Sequence, residues 1–141
     1  MSKTRLVGVP ADMLTEAWPA VEAYVTQACD ASRGRFTPAD MCKKIVSRDF
    51  QLWAEQTDAG DVCAIGVTRL VRYPQLLACE FLACVGEDMA GWVGHMEQIE
   101  NWARHQGATQ NHLVARNGWA RVMKAQGYEH THSLLEKSLC R

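Results

Sequence analysis

None of the six cysteines (Cys29, Cys42, Cys63, Cys79, Cys84 and Cys140) falls in a C-x-x-C pair, so the ligand spacing of a structural zinc site is missing. Four of them lie inside apolar segments, where a reduced thiol packs as a small hydrophobe. No apolar run approaches the roughly 18 residues that span a bilayer. The opening Met1-Ser2-Lys3-Thr4-Arg5-Leu6 has no signal-peptide core, and a cytoplasmic chain is expected. Charge of one sign is also lacking: the net charge is -1, without the basic excess of a general nucleic-acid binder. There is no internal repeat, low-complexity tract or linker. The 141 residues therefore read as one domain, long enough to bury a core.

What is present is ordinary globular material, 48% hydrophobic and 22% charged. Lys3 to Val9 reads as a short strand ended by Pro10. Pro19 suits the first position of a helix, in which Val21, Tyr24, Val25 and Ala28 share one face. Thr37 as N-cap, Pro38 and Asp40 open a second helix, with Met41 and Ile45 inward. Phe50 to Gln56 and Val62 to Arg72 are strands joined by the turn Asp58-Ala59-Gly60-Asp61. After Tyr73-Pro74-Gln75 comes Leu76 to Val85, an apolar run that reads as a central strand covered on both faces.

Gly86-Glu87-Asp88 opens the most periodic helix, with Met89, Trp92, Val93, Met96, Ile99 and Ala103 on one side and Gly107 as its stop. A strand from Asn111 to Ala115, a helix from Gly118 to Gln126 and a strand from Tyr128 to Leu139 complete the chain. Three strands joined by tight turns are antiparallel neighbours, whereas the later β-α-β crossover implies a parallel pair. The expected fold is α/β (α+β): a mixed sheet of about six strands in the order β-α-α-β-β-β-α-β-α-β, with helices on both faces.

That order resembles the GNAT (N-acetyltransferase-like) superfamily. The stretch from Ile99 to Ala108 is similar to the end of that family's central helix. Arg116 to Tyr128 is similar to its short fourth helix and closing Gly-aromatic pair, and Leu134-Leu135-Glu136-Lys137 to its last strand. The combination of Leu52-Trp53, Tyr73-Pro74, Gly86-Glu87-Asp88, Trp92 and Arg116-x-Gly118-Trp119 resembles small GNAT-like proteins encoded by tailed bacteriophages.

The resemblance implies acetyl-coenzyme A as cofactor and an amine, on a small molecule or a protein, as acceptor. It places the cofactor beside the third of the hairpin strands and the helix after it, at Val85, Gly86, Asp88, Gly91 and Trp92, with Arg116 and Asn117 at a nearby strand end. Asp88 stands where the family has Arg or Gln, and Val93 where it has a second small residue. Two carboxylates at a helix start repel a pyrophosphate and serve equally as ordinary caps. Glu80, midway along the apolar strand, is the candidate general base, since burial raises a carboxyl pKa. An ion pair with Arg69 or Arg72 is the alternative. Met123 occupies the place of the family's proton-donating Tyr, which leaves Tyr128 as the nearby phenol.

His130 and His132 share a strand face without a third metal ligand, and no metal site is assigned. His95, His105 and His112 read as helix-surface or strand-end residues. Two functional readings follow. One is an N-acetyltransferase. The other is a catalytically silent GNAT-fold protein of a phage or prophage, structural, virion-associated or binding a host protein through exposed Trp and Arg. A homodimer is compatible with either; nucleic-acid and membrane partners are not expected.

Overall fold

The computed structural model describes residues 3–87, 89–114 and 117–140, with the backbone alone at 89, 90, 117 and 118. Strand β1 (Thr4–Val9) leads through a 3-10 turn, Ala11–Met13, into α1 (Leu14–Asp30) and α2 (Pro38–Val46). Three strands follow, β2 (Phe50–Thr57), β3 (Val62–Arg72) and β4 (Leu77–Gly86). Next come α3 (Met89–Trp92), a 3-10 turn Val93–His95, α4 (Met96–His105), β5 (Gln110–Leu113) and α5 (Asn117–Lys124). The sheet order is β1-β2-β3-β4-β5. All neighbours are antiparallel except β4 and β5, which pair parallel. A parallel neighbour needs a crossover, which the α3–α4 segment supplies. No helix among the described residues is long and apolar enough to cross a membrane.

Alternation along the strands divides the core into two layers. Leu52, Ile65 and Val67 pack with Val21, Val25, Met41 and Ile45 under α1 and α2. Trp53, Cys79 and Phe81 pack with Trp92, Met96, Ile99 and Ala103 under α3 and α4. Each fully buried aliphatic side chain stabilises the fold by about 1.5–3 kcal/mol. The cap of α2 is as expected: Thr37 Oγ1 accepts from the Asp40 amide at 3.2 Å, and Asp40 Oδ2 accepts from the Thr37 amide at 2.9 Å. Gly107 and Gly127, at φ +95 and +92, end α4 and α5 in the left-handed conformation that suits glycine.

Three expectations are corrected. Pro19 lies inside α1 instead of opening it, because Leu14, only 2% exposed, anchors an earlier first turn. The helix after β4 is broken at Val93–His95, where Gly91 and Gly94 weaken the helical state and His95 turns inward. The last strand, expected from Tyr128 to Leu139, is not formed: residues 128–140 carry neither helix nor strand. Adjacent Leu134 and Leu135 give that segment no single apolar face to lay on a layer. The described sheet therefore has five strands.

Trp92 is 1% exposed and packs against β3 at Gly66. A Cβ on Gly66 would sit 2.6 Å from Trp92 Cζ2, far inside contact distance. Gly66→Ala is therefore expected to destabilise by about 1–3 kcal/mol through overpacking, and Trp92→Ala by about 3–5 kcal/mol through a cavity. In the double variant the alanine methyl occupies vacated space, so urea denaturation should show a favourable coupling above about 0.5 kcal/mol. Simple additivity would mean that the two residues do not meet.

Candidate functional site

The site is built on an asymmetry of β4. Toward β3 it is paired from Leu77 to Gly86. Toward β5 it is paired only from Ala78 to Phe81. From Leu82 to Gly86 its second edge has no ladder partner among the described residues. A β-bulge marks the place where the ladder ends: Phe81 pairs with Thr68 and Ala83 with Val67, which leaves Leu82 as the extra residue. Bulges bend a strand and re-aim its groups, and they gather beside active sites. An open backbone edge with a bulge at its root offers N–H and C=O groups to an extended, amide-bearing ligand.

The far end of that edge is fixed tightly. A Cβ on Gly86 would lie 2.3 Å from the Ala64 Cβ, so only glycine fits there. The Glu87 amide donates to the Cys63 carbonyl at 3.0 Å, continuing the pairing. The Glu87 side chain is exposed, with the Tyr24 hydroxyl 3.4 Å from its Oε1. No Lys or Arg occurs from Tyr73 to Ala103, whereas Glu80, Glu87, Asp88, Glu97 and Glu100 do. The open edge thus fits the amide-bearing arm of a coenzyme A thioester. A diphosphate at its end meets Glu87 and finds no cation from this segment. The α3 helix, four residues long, contributes little dipole.

Of the cofactor residues expected from the sequence, Val85, Gly86, Gly91 and Trp92 are described. Val85 and Gly86 lie on the open edge. Trp92 is committed to the core, its indole N–H buried without a hydrogen-bond partner among the described residues. The half-buried Cys84 lies in the same apolar layer. Burial pushes its thiol up to about 12, so it is no nucleophile. Asp88 and Arg116 lie outside the described residues, as does the side chain of Asn117.

Glu80 stands one register step before the ladder ends, opposite Arg69 on β3 and His112 on β5. Arg69 donates from Nε at 3.0 Å and from its terminal nitrogen at 2.9 Å to Oε1, and the Tyr73 hydroxyl donates to Oε2 at 3.0 Å. His112 Nδ1 lies 3.8 Å from Oε2. Burial acts to raise the Glu80 pKa, but the hydrogen bonds from Arg69 and Tyr73 and the nearby positive charge outweigh it, and the carboxyl titrates below its ordinary value. This is opposite to the direction expected from burial alone. The expected ion pair is made with Arg69, and His112 alongside it is a partner that the sequence pattern does not signal. A period-2 comparison of β4 with β5 would have required their register.

Tyr128 is half-buried. Its hydroxyl donates to Glu100 Oε2 at 2.5 Å and accepts from Asn111 Nδ2 at 2.7 Å. Burial and the Glu100 carboxylate push its pKa well above the ordinary phenol value, so its proton is committed to Glu100. Met123, at the position of the family's Tyr, is 2% exposed in the core.

A polar cluster unforeseen in the sequence lies under the 3-10 turn. Glu55 on β2, 1% exposed, pairs with His95 Nε2 at 2.8 Å and accepts from Thr4 Oγ1 at 2.9 Å. Cys63 Sγ lies 3.4 Å from its other oxygen. Burial, ahead of this carboxylate, pushes the Cys63 thiol up to about 11. His95 is therefore an inward residue and not a helix-surface one. None of the five tryptophans is exposed, which removes the exposed-Trp surface. His130 and His132 are exposed, and no cluster of three or more metal-ligating side chains occurs among the described residues.

The Glu80 network gives a pH-dependent prediction. Because the folded-state carboxyl is depressed, its contribution is full above the ordinary value of 4.5 and is lost as pH falls through the lower folded value. Glu80→Gln should cost about 1 kcal/mol at pH 7, a modest figure because Arg69 is 42% exposed. The gap between the two proteins should close in acid below 4.5. A gap constant from pH 7 to pH 3 would show that the charge of Glu80 does not matter.

No protein-family model matches the chain, and no curated protein does. Solved structures do. A predicted acetyltransferase solved with acetyl-CoA from Clostridium acetobutylicum matches at TM-score 0.64 and 14% identity, covering 99% of this chain and 97% of that one. Glucosamine-6-phosphate N-acetyltransferase from Arabidopsis thaliana matches at 0.69 and 10%, covering 98% and 99%. An aminoglycoside acetyltransferase from an uncultured soil metagenomic sample matches at 0.72 and 9%, covering 99% of each. Identities this low speak to architecture alone, and the architecture is GNAT-like: a mixed α+β sheet of the kind these acetyltransferases share.

Proposed function

We propose that the chain is an N-acyltransferase, taking an acetyl group from acetyl-coenzyme A to an amine. The observation that carries the reading is the second edge of β4, left open from Leu82 to Gly86 beside a bulge, within a fold shared with acetyltransferases. Coenzyme A, when bound, supplies the activated thioester. Leu82 to Gly86 hold its amide-bearing arm as an added strand. Glu80 accepts the proton of the acceptor amine, directly or through water. Its proton affinity is low for this task, and His112 beside it shares the load. Tyr128 keeps the β5 end of the cleft in place through Asn111 and Glu100 and donates no proton to a leaving thiolate.

A second reading, a catalytically silent module of a phage or prophage that binds another protein, is favoured by one observation: Glu80 and Tyr128 both spend their hydrogen bonds within the protein.

Titration calorimetry and thermal unfolding with acetyl-coenzyme A separate the two. The acyltransferase gains about 2.7 kcal/mol at a hundredfold excess over the dissociation constant and melts several degrees higher. Glu80→Gln should keep that affinity and lower turnover on a panel of amines about 10²–10⁴-fold. Absence of both heat and stabilisation at millimolar ligand would exclude the enzyme reading. Binding without turnover on any amine would favour the silent module.

A further inference from the structure

We propose that the α1–α2 hairpin is a docking site for an extended, carboxylate-bearing segment of a partner protein, and that this chain's own Glu136 occupies the charged end of that site. Such a site operates whether or not the chain transfers acyl groups. From Ala31 to Thr37 the connection between the two helices carries two cations, Arg33 and Arg35, and no carboxylate. Ser32 fixes its shape. The Ser32 hydroxyl donates to the Cys29 carbonyl at 2.6 Å and accepts from the Phe36 amide at 3.2 Å. The Ser32 carbonyl accepts from Arg35 Nη1 at 3.1 Å, which aims that guanidinium. Phe36 anchors the connection edge-on against Phe50 of β2, with 5.6 Å between ring centres. The two arginines then converge on one carboxylate and take an oxygen each. Arg33 Nε donates to Glu136 Oε1 at 2.9 Å, and Arg35 Nη2 lies 3.5 Å from Oε2. A preorganised pair of guanidiniums is a carboxylate receptor.

The other end of the hairpin is apolar. The start of α1 lies beside the end of α2, and a groove of about 250 Å³ opens there between Leu14, Trp18, Cys42 and Val46. Val46 and the neighbouring Met13 are exposed. The nine residues of α2 separate the arginines from this groove by about 12 Å at 1.5 Å per residue. An extended chain covers that distance in about four residues.

The C-terminal segment meets one end only. Among the described residues, 129–140 is tied to the rest of the protein by hydrogen bonds of Glu136 alone. Four positions to either side of Glu136 stand His132 and Cys140, and Leu139 is 87% exposed. The segment therefore fills the arginine pair and leaves the groove empty. Exposed ion pairs of this kind hold weakly, so they yield to a competitor. A partner segment with an apolar residue about four positions from its carboxylate satisfies both ends at once.

The test titrates the full chain, labelled with nitrogen-15, with a synthetic glycine-serine peptide that carries adjacent glutamates and a leucine four positions from them. The Nε–H signals of Arg33 and Arg35 and the indole N–H of Trp18 should shift together. Glu136→Gln should lower the dissociation constant about two- to fivefold by removing the internal competitor. Arg33→Gly with Arg35→Ala should raise it at least about fivefold, and Val46→Asp should raise it through the groove. All four positions are exposed and glycine suits the Arg33 backbone at φ +57, so far-ultraviolet circular dichroism should be unchanged. Absence of shifts at millimolar peptide in the Glu136→Gln chain would overturn the proposal. So would binding that the arginine substitutions leave intact, an affinity that Glu136→Gln leaves unchanged, a leucine-free peptide that binds as well, or a single-stranded oligonucleotide that binds more tightly than the peptide.

Discussion

The candidate site depends on the unequal pairing of β4. Antiparallel neighbours joined by tight turns can match strand for strand, and β4 is matched to β3 from end to end. A parallel neighbour returns only after a crossover, and the crossover through α3 and α4 delivers just four residues of β5. The strand is therefore covered above and below by two apolar layers while five residues of its edge stay open. The bulge at Leu82 sits where pairing with β5 stops, so the strand bends at the point where its second edge becomes open.

Much of this was legible in the sequence. The strands from Phe50 to Val85, the Thr37 cap and the glycine stops at Gly107 and Gly127 follow from local chemistry: turn residues, a capping box and left-handed glycines. The open edge was not, because it depends on where β5 stops, and no residue between Gln110 and Ala115 signals that by itself. Nor was the Glu55–His95 pair. A glutamate in a half-buried strand and a histidine forty residues on acquire meaning only when the 3-10 turn swings one over the other. The final segment misled because its composition suits a strand, while its adjacent leucines deny it a one-faced place in this chain.

The 3-10 turn connects two departures that look separate in the sequence. Trp92 needs Gly66 beneath it, and His95 needs Glu55. Two residues three apart, separated by Gly94, reach both anchors only if the helix tightens between them. The tightening uses up the first turns of what reads as one long amphipathic helix, leaving four residues of α3. In this way packing on β3 and a polar pair anchored on β2 jointly shape the segment that follows the open edge. The helix that would best favour an anion is spent on holding the core.

The side chains with chemical reach near β4 are largely spoken for. Glu80 is held by Arg69 and Tyr73, Tyr128 by Glu100 and Asn111, and the Cys84 thiol is silenced by burial. What remains available is main chain: those N–H and C=O groups between Leu82 and Gly86 that point away from β3. A site made of backbone recognises shape and extended amides more than charge, and side-chain substitution at those positions leaves its hydrogen-bonding groups intact. In the proposed acyltransferase, chemistry at such a site would rest on what its ligand brings, with Glu80 as the proposed proton acceptor and His112 beside it. On the proposed acyltransferase reading, the open edge persists while the basicity of Glu80 is set by how firmly Arg69 and Tyr73 hold its carboxylate.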